Sequence, residues 1–284
     1  MLIVPALGAA FALVRMARAG ISVSEPALFA VMYTLTALGT TVGYHRMLAH
    51  RAFSVRPALR AVFAALGCTA GQGPPLYWVA NHRRHHRYSD RDGDPHSPVR
   101  DGTRVLTRWA GLWHAHVGWT LDHDLTNTAA YCRDLLRDPS LRAVNRQYLF
   151  WFTIGLVVPA ILGFGWEHSW NGALDGFLWG GLLRLFVSYH MSLSINSIVH
   201  VFGHQAFHTK DQSRNNAWLA LPTFGEAWHN NHHAAPASAH FGLHWWQLDL
   251  GGAAITLLGW LGLAHDVRRQ RQPTSRPRDK RRAS

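Results

Sequence analysis

The chain has 284 residues, a formal charge of +12 and 20 histidines set against 16 carboxylates. Its two cysteines, Cys68 and Cys132, are too few and too far apart for a disulfide framework or a thiolate metal site, and point to a reducing compartment. The apolar residues are gathered in blocks between long polar stretches, the layout of a membrane protein rather than of one soluble core.

In chain order, the first apolar stretch, Leu2 to Val14, stops at Arg15, Arg18 and Gly20. It is short for a bilayer that takes about 20 apolar residues, and it is read as a truncated or interfacial span over about 2–18. No basic region precedes it, as a signal peptide would require. Pro26 to Tyr44 is uncharged, runs straight into His45, and predicts a span over about 26–45. Leu59 to Ala80 is mostly apolar, but Gly71-Gln72-Gly73-Pro74-Pro75 breaks it, which predicts a helix on the membrane surface or against protein. Tyr148 to Trp166 and Leu174 to Ile198 give two more spans, about 148–166 and 174–198, paired as a hairpin; the second carries one charge, Arg184. The reading is an all-α integral-membrane domain, 1–284, with about four transmembrane helices.

The segments 46–147 and 199–267 then form a polar helical cap, and 268–284 a basic tail. The stretch from His45 to Gln147 holds 15 of the 28 basic residues, which places the cap on the cytoplasmic side. Beside apolar spans the arginine-rich tail reads as a flank on anionic lipid, not as a nucleic-acid site. Its last fifteen or so residues have the composition of a disordered end.

The pattern His82-Arg83-Arg84-His85-His86 recurs as His229-Asn230-Asn231-His232-His233. On a helix, offsets of three and four return side chains to one face, so each motif is read as one stripe of three nitrogen ligands. His45 and His50 sit where the second span leaves the membrane. In the last span Ser192, Asn196 and His200 are spaced by four, a polar stripe that is costly in lipid unless it faces a cavity or site. Nine imidazoles exceed the needs of one tetrahedral zinc and suggest two metals, with neutral nitrogen ligands that suit iron. Carboxylate-bridged di-iron bundles use Glu and Glu-x-x-His sets in pairs, and that paired signature is missing. Solvated surface histidines are the bland reading, and it is assigned by default to His96, His114, His116, His123, His168, His204, His208, His240, His244 and His265. His190 ranks above these because of its depth. Glu226, three residues before His229, is either a carboxylate orienting an imidazole or an ordinary early-helix acid.

These residues resemble the membrane fatty acyl desaturases of the stearoyl-CoA delta-9 type and their bacterial acyl-lipid relatives. The resemblance is carried by HRMLAH at 45–50, HRRHHRYSDRDGDPHSP at 82–98, HAHVGW at 114–119, NSIVH at 196–200 and GEAWHNNHH at 225–233, and it runs from about Ala37 to Val267. It implies that His45, His50, His82, His85, His86, His200, His229, His232 and His233 bind two iron ions, with Asn196 reaching one through water. It also implies a four-span fold with both termini cytosolic, in a bacterial inner membrane. A closed, kinked tunnel would hold the acyl chain, with Gln72, Trp78 and Ser192 near its bend and Tyr33 and Ala37 near its far end. Twelve and eight residues before His45, Tyr33 and Ala37 can share its helix face, although ordinary helix packing explains them equally well. Animal acyl-CoA members carry an Arg-Asp pair before the second box, where this chain has Val79-Ala80-Asn81, so their CoA head-group site is not reproduced.

The implied reaction is O₂-dependent insertion of a cis delta-9 double bond into a saturated fatty acyl-CoA or acyl-lipid. Electrons would come from a separate donor of the ferredoxin or cytochrome b5 kind with its reductase. A histidine-box hydroxylase or ketolase shares the metal logic but inserts oxygen. A histidine-rich metal transporter would place its ligands near the bilayer midplane, whereas here most lie at helix ends and in polar loops.

Overall fold

The computed structural model describes residues 2–121 and 125–270, and the alternation of apolar and polar blocks becomes a bundle of long helices under a cap of short ones. Helix α1 is Ile3–Ala19 and α2 is Ser24–Ala49. The cap contributes α3, Pro57–Cys68, α4, Pro75–Tyr88, α5, Arg108–His116, and α6, Pro139–Arg146. Two long helices follow, α7, Tyr148–Glu167, and α8, Trp170–His200, and then α9, His229–Ala234, and α10, Leu250–Trp260.

Among the described residues α2, α7 and α8 are long and apolar enough to cross a membrane. Helix α1 has 17 residues, about 25 Å of rise, which is short of the roughly 30 Å hydrocarbon core. It nevertheless belongs to the bundle: Gly8 packs so closely on α8 that a Cβ there would lie 2.3 Å from Leu182. Arg15 of α1 forms a bidentate pair with Asp175 of α8 at 2.7 and 2.9 Å. At that same end Ser24 donates to Glu167 at 2.6 Å, so the α1–α2 and α7–α8 connections meet. The opposite ends of α2 and α8 carry His45 and His200.

Proline and glycine shape the segment that the sequence marks as broken. Helix α3 ends at Cys68, the chain turns through 69–74, and Pro75 restarts α4 at its first turn, where a missing N–H costs nothing. Gly71 takes φ +71, with the Tyr189 hydroxyl where a side chain would stand. Gly39 of α2 meets Gly67 of α3 backbone to backbone, 2.3 Å from an added Cβ, the close approach that small residues allow.

Arg184, midway along α8, is fully buried. Its guanidinium donates to the Thr69 carbonyl beyond α3, to Gly155 of α7 at 2.6 Å and to Gly180 at 3.0 Å. Pro159 has no N–H to give the carbonyl four residues earlier, which is Gly155, so Arg184 fills the gap that this proline opens. Beneath the cap, Val42, Tyr44, Leu48, Phe63, Val79, Leu141 and Ile255 form one apolar cluster. Ser54–Val55 pairs antiparallel with Ala264–His265 and ties the C-terminal segment to the end of α2.

Candidate metal centre

Each histidine is placed by a local feature of the chain. From Leu38 to Ala49 helix α2 widens into π geometry, and the His50 N–H reaches the His45 carbonyl five residues back at 3.1 Å. In an α-helix those residues would point about 140° apart; the wider turn brings their rings to 4.8 Å. Helix α4 supplies His82, His85 and His86, α8 ends on His200, and α9 supplies His229, His232 and His233.

The nine imidazoles fall into two adjoining sets. His45, His50, His82, His86 and His232 place their ligand nitrogens within 4.8 Å of one another, and so do His85, His200, His229 and His233. Each H-x-x-H-H motif was expected to be one stripe, and the structure corrects this. The first and last histidines of each motif, one turn apart, enter the same set, while the fourth position crosses to the other: His85 joins the α9 pair and His232 the α4 pair. Successive residues diverge by about 100° around a helix, so the neighbours 85 and 86, or 232 and 233, cannot aim at one point.

Carboxylates hold several rings from behind. His85 Nδ1 lies 3.0 Å from both oxygens of Asp94, His200 Nδ1 2.9 Å from Asp90, and His233 Nδ1 2.9 Å from Asp211. Glu226 meets His45 Nδ1, so of its two readings the orienting one fits. It is carried there by a turn in which Phe224 and Gly225 both have positive φ. The fully buried Arg46 braces Glu226 at 3.2 Å and Asp249 at 2.8 Å, with its guanidinium 3.9 Å from the centroid of Phe241. Sequence reasoning missed Asp90, Asp94, Asp211 and Arg46. Only the first two carried a signal, their place in SDRDGDPH just after the second box.

The donor set suits a metal. Burial first, then neighbouring imidazoles, pushes His50, His82, His86, His229 and His232 well below the usual histidine range; burial outweighs Asp211 and takes His233 down to about 4. His85 is the exception, because the Asp94 carboxylate outweighs burial and pushes it up. Burial raises the Asp94 and Asp211 carboxyls, but the His85 and His233 rings more than reverse this and hold both below the usual carboxylate range. Neutral rings expose lone pairs, and here Nε2 faces Nε2 at 2.7 Å for His50–His82, 2.9 Å for His86–His232 and 3.0 Å for His200–His229. A neutral imidazole has a single N–H, so at most one ring of each facing pair can donate to the other, and His233 Nε2 is buried with no hydrogen-bond partner at all. Cations between them would satisfy all, and nitrogen-only sets suit zinc, copper, nickel or iron.

Against the sets lies a cavity whose empty space, counting its open mouth, is about 710 Å³. His45, His82, His85, His229 and Glu226 form its metal-side wall, and Asn196 lies along it. Every residue expected to touch substrate also lines it: Tyr33, Ala37, Gln72, Trp78 and Ser192. Gln72 accepts from Trp78 Nε1 and from the Ser192 hydroxyl, both at 3.0 Å, and Trp78 stacks on His82 with centroids 5.0 Å apart. At the other end the Tyr33 hydroxyl donates to the Pro222 carbonyl, and Phe29 stacks on the Tyr33 ring.

The remaining histidines mostly stand apart from both sets. His96 lies close by: it stacks on His85 at 4.5 Å and forms a third ligand group with His85 and Asp94. His190 pairs with His116 at 3.0 Å rather than with either set, and His240 bonds Thr256 at 2.8 Å. His123 and the tail from 271 lie outside the described residues.

Comparison with known proteins gives this arrangement its relatives. A hex-5-enoyl-acyl-carrier-protein acetylenase of Moorena producens (strain JHB) is 47% identical over 268 residues, covering 94% of this chain and 84% of that protein. A delta-9 acyl-lipid desaturase of Arabidopsis thaliana is 39% identical over 238 residues, 84% of this chain and 73% of its own length. A palmitoyl-monogalactosyldiacylglycerol delta-7 desaturase of the same plant is 38% identical over 248 residues, 84% of this chain and 60% of its own. The fatty acid desaturase model matches residues 24–264, from the first residue of α2 to the terminal strand, and with it both histidine sets: the chain belongs to the fatty acid desaturase family.

Proposed function

We propose that the chain is an O₂-dependent delta-9 desaturase of saturated C16 to C18 acyl chains, carried as acyl-lipid or acyl-CoA, with two irons held by the nine histidines and Asn196 adjoining one of them. The observation that carries this reading is the opening of both histidine sets onto one cavity walled by membrane helices. When bound, the two irons supply the O₂-derived oxidising power needed to take two hydrogens from adjacent methylenes. The four electrons that O₂ takes divide evenly, two from the acyl chain and two from a separate donor of the ferredoxin or cytochrome b5 kind.

The protein's own residues contribute placement. Gln72, Trp78 and Ser192 are locked to one another, so the wall beside the metal sets keeps one shape and presents one pair of methylenes. Asp90, Asp94, Asp211 and Glu226 fix ring orientation, which keeps positions open for O₂ while the other ligands stay still. An acyl chain lying in this largely apolar cavity would keep bulk water from the reacting carbons. The basic cap supports a cytoplasmic orientation, while a fourth crossing by α1 and a bacterial inner membrane rest on the family resemblance alone.

The 47% identical acetylenase supports a second reading, in which an enoyl chain on an acyl carrier protein loses two further hydrogens to give an alkyne. Expression in a desaturase-free host, with lipid profiling and metal analysis, separates the readings. The delta-9 reading expects a cis-9 alkene and about two irons per chain, both lost in His82→Ala and His229→Ala protein that still inserts. Alkynes, hydroxylated products, a double bond counted from the methyl end or one stoichiometric zinc would overturn it. Ala37→Leu, which narrows the far end by the volume of several methylenes at about 0.8 kcal/mol each, should shift the profile toward shorter chains with iron content unchanged. An identical profile would make Ala37 plain helix packing.

A further inference from the structure

The two histidine sets differ in what stands behind them. In the set of His85, His200, His229 and His233, three of four rings have a carboxylate on the nitrogen turned away from the centre. Those carboxylates are held by neutral donors. Asp90 accepts from the Gln212 N–H at 2.7 Å and the Ser97 hydroxyl at 2.9 Å, Asp94 from the Asp90 N–H at 2.8 Å, and Asp211 from the Ser213 N–H and the Thr209 hydroxyl at 3.0 Å each. Among the described residues no arginine or lysine pairs with any of the three.

The five-histidine set is backed differently. One of its rings, His45, has a carboxylate partner, and that Glu226 is shared with Arg46, which also holds Asp249. Beside His50 and His82, Arg83 reaches the Leu48 and Ala49 carbonyls at 2.7 and 3.0 Å and is paired with Asp134, which Arg51 also meets. Glu226, Asp249 and Asp134 are thus matched by Arg46, Arg83 and Arg51, a balance of zero, against an unmatched −3 from Asp90, Asp94 and Asp211.

A carboxylate hydrogen-bonded to the rear of a ligand imidazole makes it a stronger donor, and its negative charge favours the more highly charged ion in front. We propose that the two metal positions are inequivalent: the one held by His85, His200, His229 and His233 keeps its iron ferric longer, and the five-histidine position is reduced first. This rests on the two-iron reading. The electron count is simple, since each ferric ion takes one electron to become ferrous and two electrons from dithionite reduce the pair.

The test is anaerobic dithionite titration of the full chain loaded with ⁵⁷Fe, followed by Mössbauer spectroscopy. After one electron per pair, the ferrous signal should favour one of two resolved sites by at least tenfold, which is about 59 mV for one-electron couples. Asp90→Asn and Asp211→Asn, tested separately so that one misfolded variant does not end the experiment, should each cut that preference several-fold. Glu226→Gln, on the other set, should raise it. Two sites that reduce together, or a preference that neither Asp variant moves while two irons remain bound, would overturn the assignment. Parent protein that binds a single iron overturns the two-iron reading itself, and this inference with it.

Discussion

Two arginines among the described residues are fully buried, and they are satisfied in different ways. Arg46, one residue past His45, is paired with the Glu226 and Asp249 carboxylates, lies over the face of Phe241 and also donates to the Ala239 carbonyl at 2.9 Å. Arg184, in the middle of α8, has only backbone carbonyls, those of Thr69, Gly155 and Gly180. The first arrangement is electrostatic and is coupled to the histidines through Glu226. The second is architectural, and stitches α3, α7 and α8 where proline and a helix end leave acceptors bare. A buried cation therefore marks the metal region only where its partners are carboxylates.

Substitution can break this distinction. The largest effect is expected for Arg46→Met, which strands two buried carboxylates, and breaking a buried pair typically costs about 3–5 kcal/mol. Thermal unfolding should show that loss together with iron lost from the five-histidine set, and adding Glu226→Gln and Asp249→Asn should recover part of the stability. Arg184→Met strands neutral acceptors instead, at about 1–3 kcal/mol for a buried group left unmade, and should leave iron content at the parental level. If Arg184→Met strips iron as Arg46→Met does, the two arginines are not different in kind. The smallest effect belongs to Tyr189→Phe, which removes the hydroxyl that donates to Gly71 in the segment Arg184 also holds. A loss of about 1 kcal/mol, measured in the same melts and with metal content unchanged, would sharpen the claim that backbone carbonyls of 69–74 help to hold that segment on α8.

What was readable from the sequence follows from how local each signal is. Nine histidines declare themselves by residue type and by offsets within a few positions, so their gathering near the ends of α2 and α8 was legible. Their division was not. Whether His85 faces with His86 or with His233 depends on where α4 lies against α9, which no spacing within either motif encodes. The π turn that brings His50 over His45 was equally hidden, because 38–49 has no residue that demands it. The carboxylate partners were hidden by distance along the chain: Asp90 and His200 are 110 positions apart, and Glu226 and His45 are 181 apart. The five cavity residues came through resemblance rather than periodicity, since a tyrosine and an alanine on a spanning helix look like packing until the cavity is seen beside them.

The carbonyl partners of Arg184 also bear on how the chain enters a membrane. An arginine at the centre of an inserting helix costs about 2.5–3.5 kcal/mol on biological insertion scales. Of its three acceptors only Gly180 lies on α8; Gly155 is on the preceding helix and Thr69 lies far earlier in the chain. A solitary α8 would therefore meet the bilayer with most of that cost unrelieved. The α7–α8 hairpin, in which Gly163 and Gly172 are in backbone contact, brings the Gly155 acceptor with it, and the third acceptor is met only where the 69–74 segment docks on α8. Biogenesis of this protein is in that sense a folding problem before the first metal arrives.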